Sequence, residues 1–185
     1  MAAAGTHQLI VYHKPLDEVT TRSDPQGRRT VFESLPPAGA GRWISIGRLD
    51  VNTSGLLLFT TDGELAHRLM HPSTEVEREY LVTVQGRPSS EVLGRLRTGV
   101  SLEDGPARFD RIEPVERPGA NAAFKVILRE GRNREVRRMW TAVGHEVVQL
   151  SRTRYGPVEL PPDLRPGQWR AVPMAVMGAV EGLRA

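Results

Sequence analysis

Apolar positions fall along the chain in short blocks. Gln8 to Tyr12 is almost wholly apolar and predicts a buried strand. His13 to Gly27 is polar, carries Lys14-Pro15 and Asp24-Pro25, and predicts a loop. Pro36 to Gly41 predicts a turn, and Trp43 to Ile46 a short strand. The polar stretch Gly47 to Gly55 then runs into Leu56–Thr60, which has the pattern of a core strand. Asp62 stands where it can cap a helix through Met70, with Leu65 and Leu69 on one face and His71-Pro72 as the stop. Glu79 to Val84 predicts a strand. Ser89 or Ser90 caps a second helix that turns Val92, Leu93 and Leu96 to one side. Pro106 to Val115 and Ala122 to Leu128 predict strands, as do Val147 to Tyr155 and Trp169 to Val172; Met174 to Leu183 predicts a C-terminal helix.

The third helix, about Arg134 to Val143, ends at Gly144. At about 100° per residue, Val136, Met139, Trp140 and Val143 form its buried stripe. Arg134 and Arg138 point away from that stripe. Arg137 lies at its edge, where a half-buried guanidinium calls for a carboxylate partner. Strands at irregular spacing with helices between them predict an α+β mixed sheet rather than a doubly wound parallel one.

Composition narrows the class. The 185 residues, 39% hydrophobic and 25% charged, suit one globular domain with a small appendage. The expected division is a flexible N-terminus at 1–7, a domain at 8–173 and a C-terminal helix and tail at 174–185. There is no cysteine, which excludes disulfide scaffolds, cysteine-ligated metals and thiol nucleophiles. No apolar run reaches the roughly 18 residues of a spanning helix. The first residues lack the basic and apolar regions of a signal peptide, so a cytoplasmic location is expected.

Charge is more informative. The net charge is +3, and Lys14 and Lys125 are the only lysines. From Arg129 to Arg154 seven arginines face three glutamates, leaving the rest of the chain near −1. Arginine richness can follow from a GC-rich genome alone. Concentrated in one segment, it is also the footprint of phosphate recognition. Arg132, Arg134 and Arg138 at the third helix, with Arg152 and Arg154 on one face of the next strand, form an expected track for a nucleic-acid backbone.

Candidate chemistry is sparse. His67 and His71 are four residues apart, but His71 precedes Pro72 and no third ligand is near, so no metal site is expected. No phosphate loop, nucleophile elbow or dinucleotide fingerprint is present. Two segments remain: Gly47-Arg-Leu-Asp50, whose lone Asp could equally be a turn former, and Glu130-Gly-Arg-Asn-Arg-Glu-Val-Arg-Arg138.

These segments carry a resemblance. Gly47-Arg-Leu-Asp-Val-Asn-Thr-Ser-Gly-Leu-Leu-Leu-Phe-Thr-Thr-Asp-Gly-Glu-Leu65 resembles the catalytic-Asp motif of RNA pseudouridine synthases. Glu77-Arg-Glu-Tyr80 and Glu130 to Arg138 resemble that family's second and third motifs. Met70-His-Pro-Ser and Ser101-Leu-Glu-Asp-Gly-Pro point to the RsuA/RluB branch, and within it to the type acting on large-subunit rRNA. The resemblance runs from about Leu9 to Val172. It implies a bacterial isomerase of ribosome biogenesis that converts a uridine of 23S rRNA to pseudouridine, without cofactor or metal, as a monomer. It also implies catalytic roles for Asp50, Tyr80 and Arg137, and RNA contacts for Arg48, Asn52 and Thr53. Members of this branch usually carry an S4-like RNA-binding domain before the first catalytic strand, and these 185 residues hold none. The alternatives are a synthase for 16S rRNA or another 23S site, and a non-catalytic rRNA-binding assembly factor on the same scaffold.

Overall fold

The computed structural model describes residues 8–183, so the expected flexible segment 1–7 lies outside the described residues. The elements, in chain order, are β1 (Leu9–Lys14), β2 (Ile44–Ile46), β3 (Ser54–Thr60), α1 (Gly63–Met70), β4 (Arg78–Val84), α2 (Ser90–Thr98), β5 (Val100–Leu102), β6 (Gly105–Ala107), β7 (Arg111–Val115), β8 (Ala122–Leu128), α3 (Glu135–Ala142), β9 (Val147–Tyr155), β10 (Val158–Glu159), β11 (Trp169–Ala171) and α4 (Met174–Glu181). This is the α+β arrangement, a mixed sheet with helices, that the pattern predicts. No helix among the described residues is long and apolar enough to cross a membrane.

The stretch expected as one domain divides into two compact units. The first holds residues up to Val76 and from Arg154 onward; the second is Glu77–Thr153. In the first unit β1 lies between β11 and β3, antiparallel to both, and β2 also pairs with β3. Leu56, Leu57, Leu58 and Phe59 are all buried, so β3 is covered on both faces. One face packs with Leu9, Val11, Leu65 and Leu69, the other with Ile10, Tyr12, Trp43 and Leu49. The helix signals hold: Asp62 accepts the Glu64 and Leu65 amides at 3.0 and 3.2 Å, and His71 closes α1.

In the second unit β8 pairs antiparallel with β4 on one side and β7 on the other. Ser89, not Ser90, caps α2. Of that helix's apolar face Leu96 is buried, and Val92 and Leu93 only partly. Pro106 to Val115 is not one strand. Its first part pairs with β5 in a small hairpin, and Arg108 to Asp110 separate it from β7. The hairpin turns at Glu103-Asp104, Gly105 opens β6 with φ +118°, and the strands of three residues are too short to show a period.

α3 meets its expectation closely. Val136, Met139, Trp140 and Val143 are buried, and Trp140 stacks on Phe124 with ring centres 5.3 Å apart. Its entry is an ionic knot that the helical wheel does not show. Glu135 is buried, accepts the Arg132 amide at 2.9 Å and pairs with the Arg132 guanidinium at 3.3 Å. Burial, reinforced by a hydrogen bond with Glu130, pushes the Glu135 carboxyl up to about 7. Glu130 shifts the opposite way, as expected of two carboxyls joined through one proton.

The folded chain keeps a proton on Glu135 up to about pH 7, whereas the unfolded chain releases it near the ordinary glutamate value. Its contribution is therefore present at low pH and lost as pH rises between those points. Glu135→Gln keeps a neutral group of the same shape. Thermal melts of both proteins between pH 4.5 and 7.5 should show wild type losing on the order of 5 °C relative to the variant as pH rises. Parallel melting curves would show that Glu135 stays ionised throughout.

Candidate active site

The Asp50 segment belongs to the first unit. Gly47 opens it with φ +80°, a backbone that side-chain-bearing residues rarely adopt. Leu49 is buried and anchors the loop. Three bonds then fix the backbone around Asp50. The Thr20 hydroxyl donates to the Leu49 carbonyl at 2.9 Å, the Asp17 amide donates to the Val51 carbonyl at 2.8 Å, and the Thr53 amide closes a turn on the Asp50 carbonyl at 3.0 Å. The backbone of Asp50 does form a turn, as a lone loop Asp is expected to, and its side chain is half-buried.

Beneath the loop lies Lys14, fully buried at the end of β1. Its Nζ donates to the Thr53 carbonyl at 2.8 Å and the Pro15 carbonyl at 2.9 Å. Burial pushes this amine down to about 8; the negative charges of Glu18, Asp50 and Asp17 act against that shift. Sequence reasoning assigned Lys14 to a surface loop. The available signal was a lysine directly continuing an apolar strand.

The other expected catalytic residues belong to the second unit. Tyr80 sits on β4 opposite Val126 and is partly buried against that unit's core. Arg137 is half-buried on α3, at the edge of the apolar stripe as its helical phase predicts. Arg48, Asp50, Asn52 and Thr53 come together on one loop; Tyr80 on β4 and Arg137 on α3 belong to the other unit. No group of three or more acidic or histidine ligands among the described residues is arranged to hold a metal ion. His71 instead accepts the Ser73 amide at 3.1 Å.

The residues of the expected RNA track stand in different settings. Thr53 and Arg152 are each only 3% exposed, so neither side chain presents a surface to a phosphate. Arg152 shares the β9 face of Leu150, which packs into the core. Arg132 and Arg138 are committed internally. Asp104, in the β5–β6 turn, takes both Arg138 terminal nitrogens at 2.8 and 3.0 Å and Arg132 at 3.0 Å. Arg138, and then Arg132, hold the Asp104 carboxyl well below the usual carboxylate range. Arg132 also donates to the carbonyls of Asp104, Gly105 and Pro106. Arg154 donates to the Gly156 carbonyl at 2.9 Å. Arg48, Asn52 and Arg134 are exposed.

Comparison with known proteins agrees with the sequence resemblance. The chain is 54% identical over 176 residues to "Ribosomal large subunit pseudouridine synthase B" of Salmonella typhimurium, covering 95% of this chain and 60% of that one. It is 57% identical over 162 residues to the protein of the same name from Pasteurella multocida, covering 88% and 47%. The chain spans 35–60% of the length of the curated relatives it matches. Among solved structures, a crystal structure of a pseudouridylate synthase superposes with a TM-score of 0.81 at 29% identity, over 95% of this chain and 74% of that one. The pattern of the RNA pseudouridylate synthase family matches residues 8–142, a stretch that takes in the Asp50 loop, Tyr80 and Arg137 alike, and the chain belongs to that family.

Proposed function

We propose that this chain isomerises one uridine of 23S rRNA to pseudouridine during ribosome biogenesis. The observation that carries the reading is the Asp50 loop, with one carboxylate half-buried on backbone that Thr20, Asp17 and Lys14 pin from below. A nucleophile or base gains most from being held still. The relatives' common name supports the large ribosomal subunit as the source of the substrate.

The chemistry asks little else of the protein. The N1–C1′ bond breaks, the uracil turns, and a C5–C1′ bond forms. The proton lost from C5 is matched by one gained at N1, so atoms and electrons balance within the nucleotide. In this reading Asp50 attacks or abstracts as an ionised carboxylate. Arg137 forks onto it, favouring the charged form and fixing its rotamer. Tyr80 lies against the target base, where a neutral phenol both stacks and relays the C5 proton. Arg48 fills the stack that the flipped uridine leaves. Arg48, Asn52 and Arg134, being exposed, are the expected residues best placed to meet the RNA directly.

Two predictions test this reading. Asp50→Asn should leave less than about 1% of wild-type pseudouridine in single-turnover assays on a 23S rRNA transcript, a loss of at least ~10², while RNA affinity stays within about threefold. Product at a tenth of the wild-type rate would remove Asp50 from the chemistry. The second concerns fork geometry. Arg137→Lys keeps the charge but loses the second of two parallel hydrogen bonds, so its rate should fall on the order of 10²-fold. Arg138→Lys, whose partner is the exposed Asp104, should change the rate less than about threefold. Equal rates for the two variants would show that Arg137 does not orient the reacting carboxylate.

A further inference from the structure

The first unit contains an open cleft of about 410 Å³ beside the Asp50 loop. Its wall includes Thr20, Arg22, Phe32, Arg42 and Ser45, and no carboxylate lines it. Arg22 is held in place: its guanidinium carbon stands 4.3 Å above the Phe32 ring, and its Nη2 donates to the Trp43 carbonyl. Trp43 is fixed in turn, its indole nitrogen donating to the Pro36 carbonyl at 2.6 Å. Arg42 is exposed. Among the described residues neither arginine is ion-paired, whereas Arg28, Arg29 and Arg170 of the same unit each have an acidic partner. Arg22 is exposed as well; the desolvation it undergoes and the nearby Arg42 charge both disfavour its charged form.

Two cations that converge on an open cleft with no acid lining it suit an anionic ligand. A phosphate relieves their repulsion and accepts from both forks. Thr20 ties this site to the chemistry. The same hydroxyl that donates to the Leu49 carbonyl accepts the Leu49 amide at 3.3 Å, and Leu49 directly precedes Asp50.

We infer that Arg22 and Arg42 bind a backbone phosphate of the substrate RNA at a nucleotide flanking the target uridine. The inference rests on the proposed activity and names a contact that it needs. Ser45 supplies a hydroxyl for a phosphate oxygen or a 2′-OH, and the planar Arg22 supplies a surface that tolerates any base. The cleft therefore grips the strand independently of its sequence while the Asp50 loop acts on the uridine.

The test measures binding of a fluorescein-labelled RNA hairpin with a uridine in its loop, by anisotropy, as NaCl is raised. Arg22→Ala/Arg42→Ala should weaken binding about tenfold and lower the log–log salt slope by about 0.7 for each single-strand phosphate released. Arg117→Ala/Arg165→Ala removes the same charge from exposed positions that do not line the cleft and should leave the slope unchanged. Arg42→Ala alone, which leaves the Arg22–Trp43 bond intact, should give part of the effect with an unchanged melting temperature. At saturating RNA the single-turnover rate of the double variant should stay within about twofold of wild type, since neither arginine touches Asp50; the half-saturating RNA concentration should rise about tenfold. A slope equal to that of the control pair overturns the inference, as does failure of the wild-type chain to bind the hairpin. Saturable quenching of tryptophan fluorescence by micromolar inorganic phosphate, with RNA binding indifferent to both arginines, would make the cleft a small-anion site and also overturn it. If the arginines set the slope but wild type forms no pseudouridine, the RNA contact stands and the enzymatic reading falls.

Discussion

The fixed backbone of the Asp50 loop depends on a buried cation. Lys14 has no water to solvate it, so its ammonium is satisfied by the Thr53 and Pro15 carbonyls, which draws the end of the loop onto β1. Thr20 and Asp17 hold the middle of the loop by its backbone. No side-chain atom of Asp50 is used in any of these bonds. A loop built from turn formers is ordinarily mobile. Here its carbonyls are claimed from below, which holds Asp50 on fixed backbone.

The second unit deals with charge differently. Its arginine-rich segment reads in sequence as a positive face. In three dimensions much of that charge is neutralised where it stands. Asp104 gathers Arg132 and Arg138, and Glu130 and Glu135 share a proton beside Arg132. This binds the α3 entry to the β5–β6 hairpin across more than twenty-five residues of sequence. The segment that supplies Arg137 is thereby braced at its start by ions and along its length by Trp140 and its neighbours. A positioned guanidinium needs such a frame, because a fork that moves by an ångström loses its second hydrogen bond.

Among the described residues, two arginines without an ion pair lie in the first unit. Arg22 and Arg42 sit in a loop region that the sequence marks only as polar, within a stretch where other arginines have acidic partners a few residues away. A charge count along the chain therefore points to the second unit, and the pairing pattern points to the first. Local excess charge measures how many arginines there are; it does not measure how many remain available to a phosphate.

What the sequence determined by itself is everything that depends on near neighbours. Asp62 and Ser89 cap helices because a short polar side chain reaches amides two or three residues ahead. The α3 stripe and the half-buried phase of Arg137 follow from helical geometry alone, and the motif wording around Asp50, Tyr80 and Arg137 carries the family. The tertiary structure decided what depends on distant partners. Lys14 is a core residue because Thr53 brings a carbonyl to it from thirty-nine residues away. Arg132 and Arg138 are spent because a hairpin too short to show a period delivers Asp104. Arg152 is buried although its strand was read correctly, because alternation assigns a side chain to a face but says nothing of what covers that face. Burial and pairing are properties of the partner as much as of the residue, and the partner is chosen only when the chain folds.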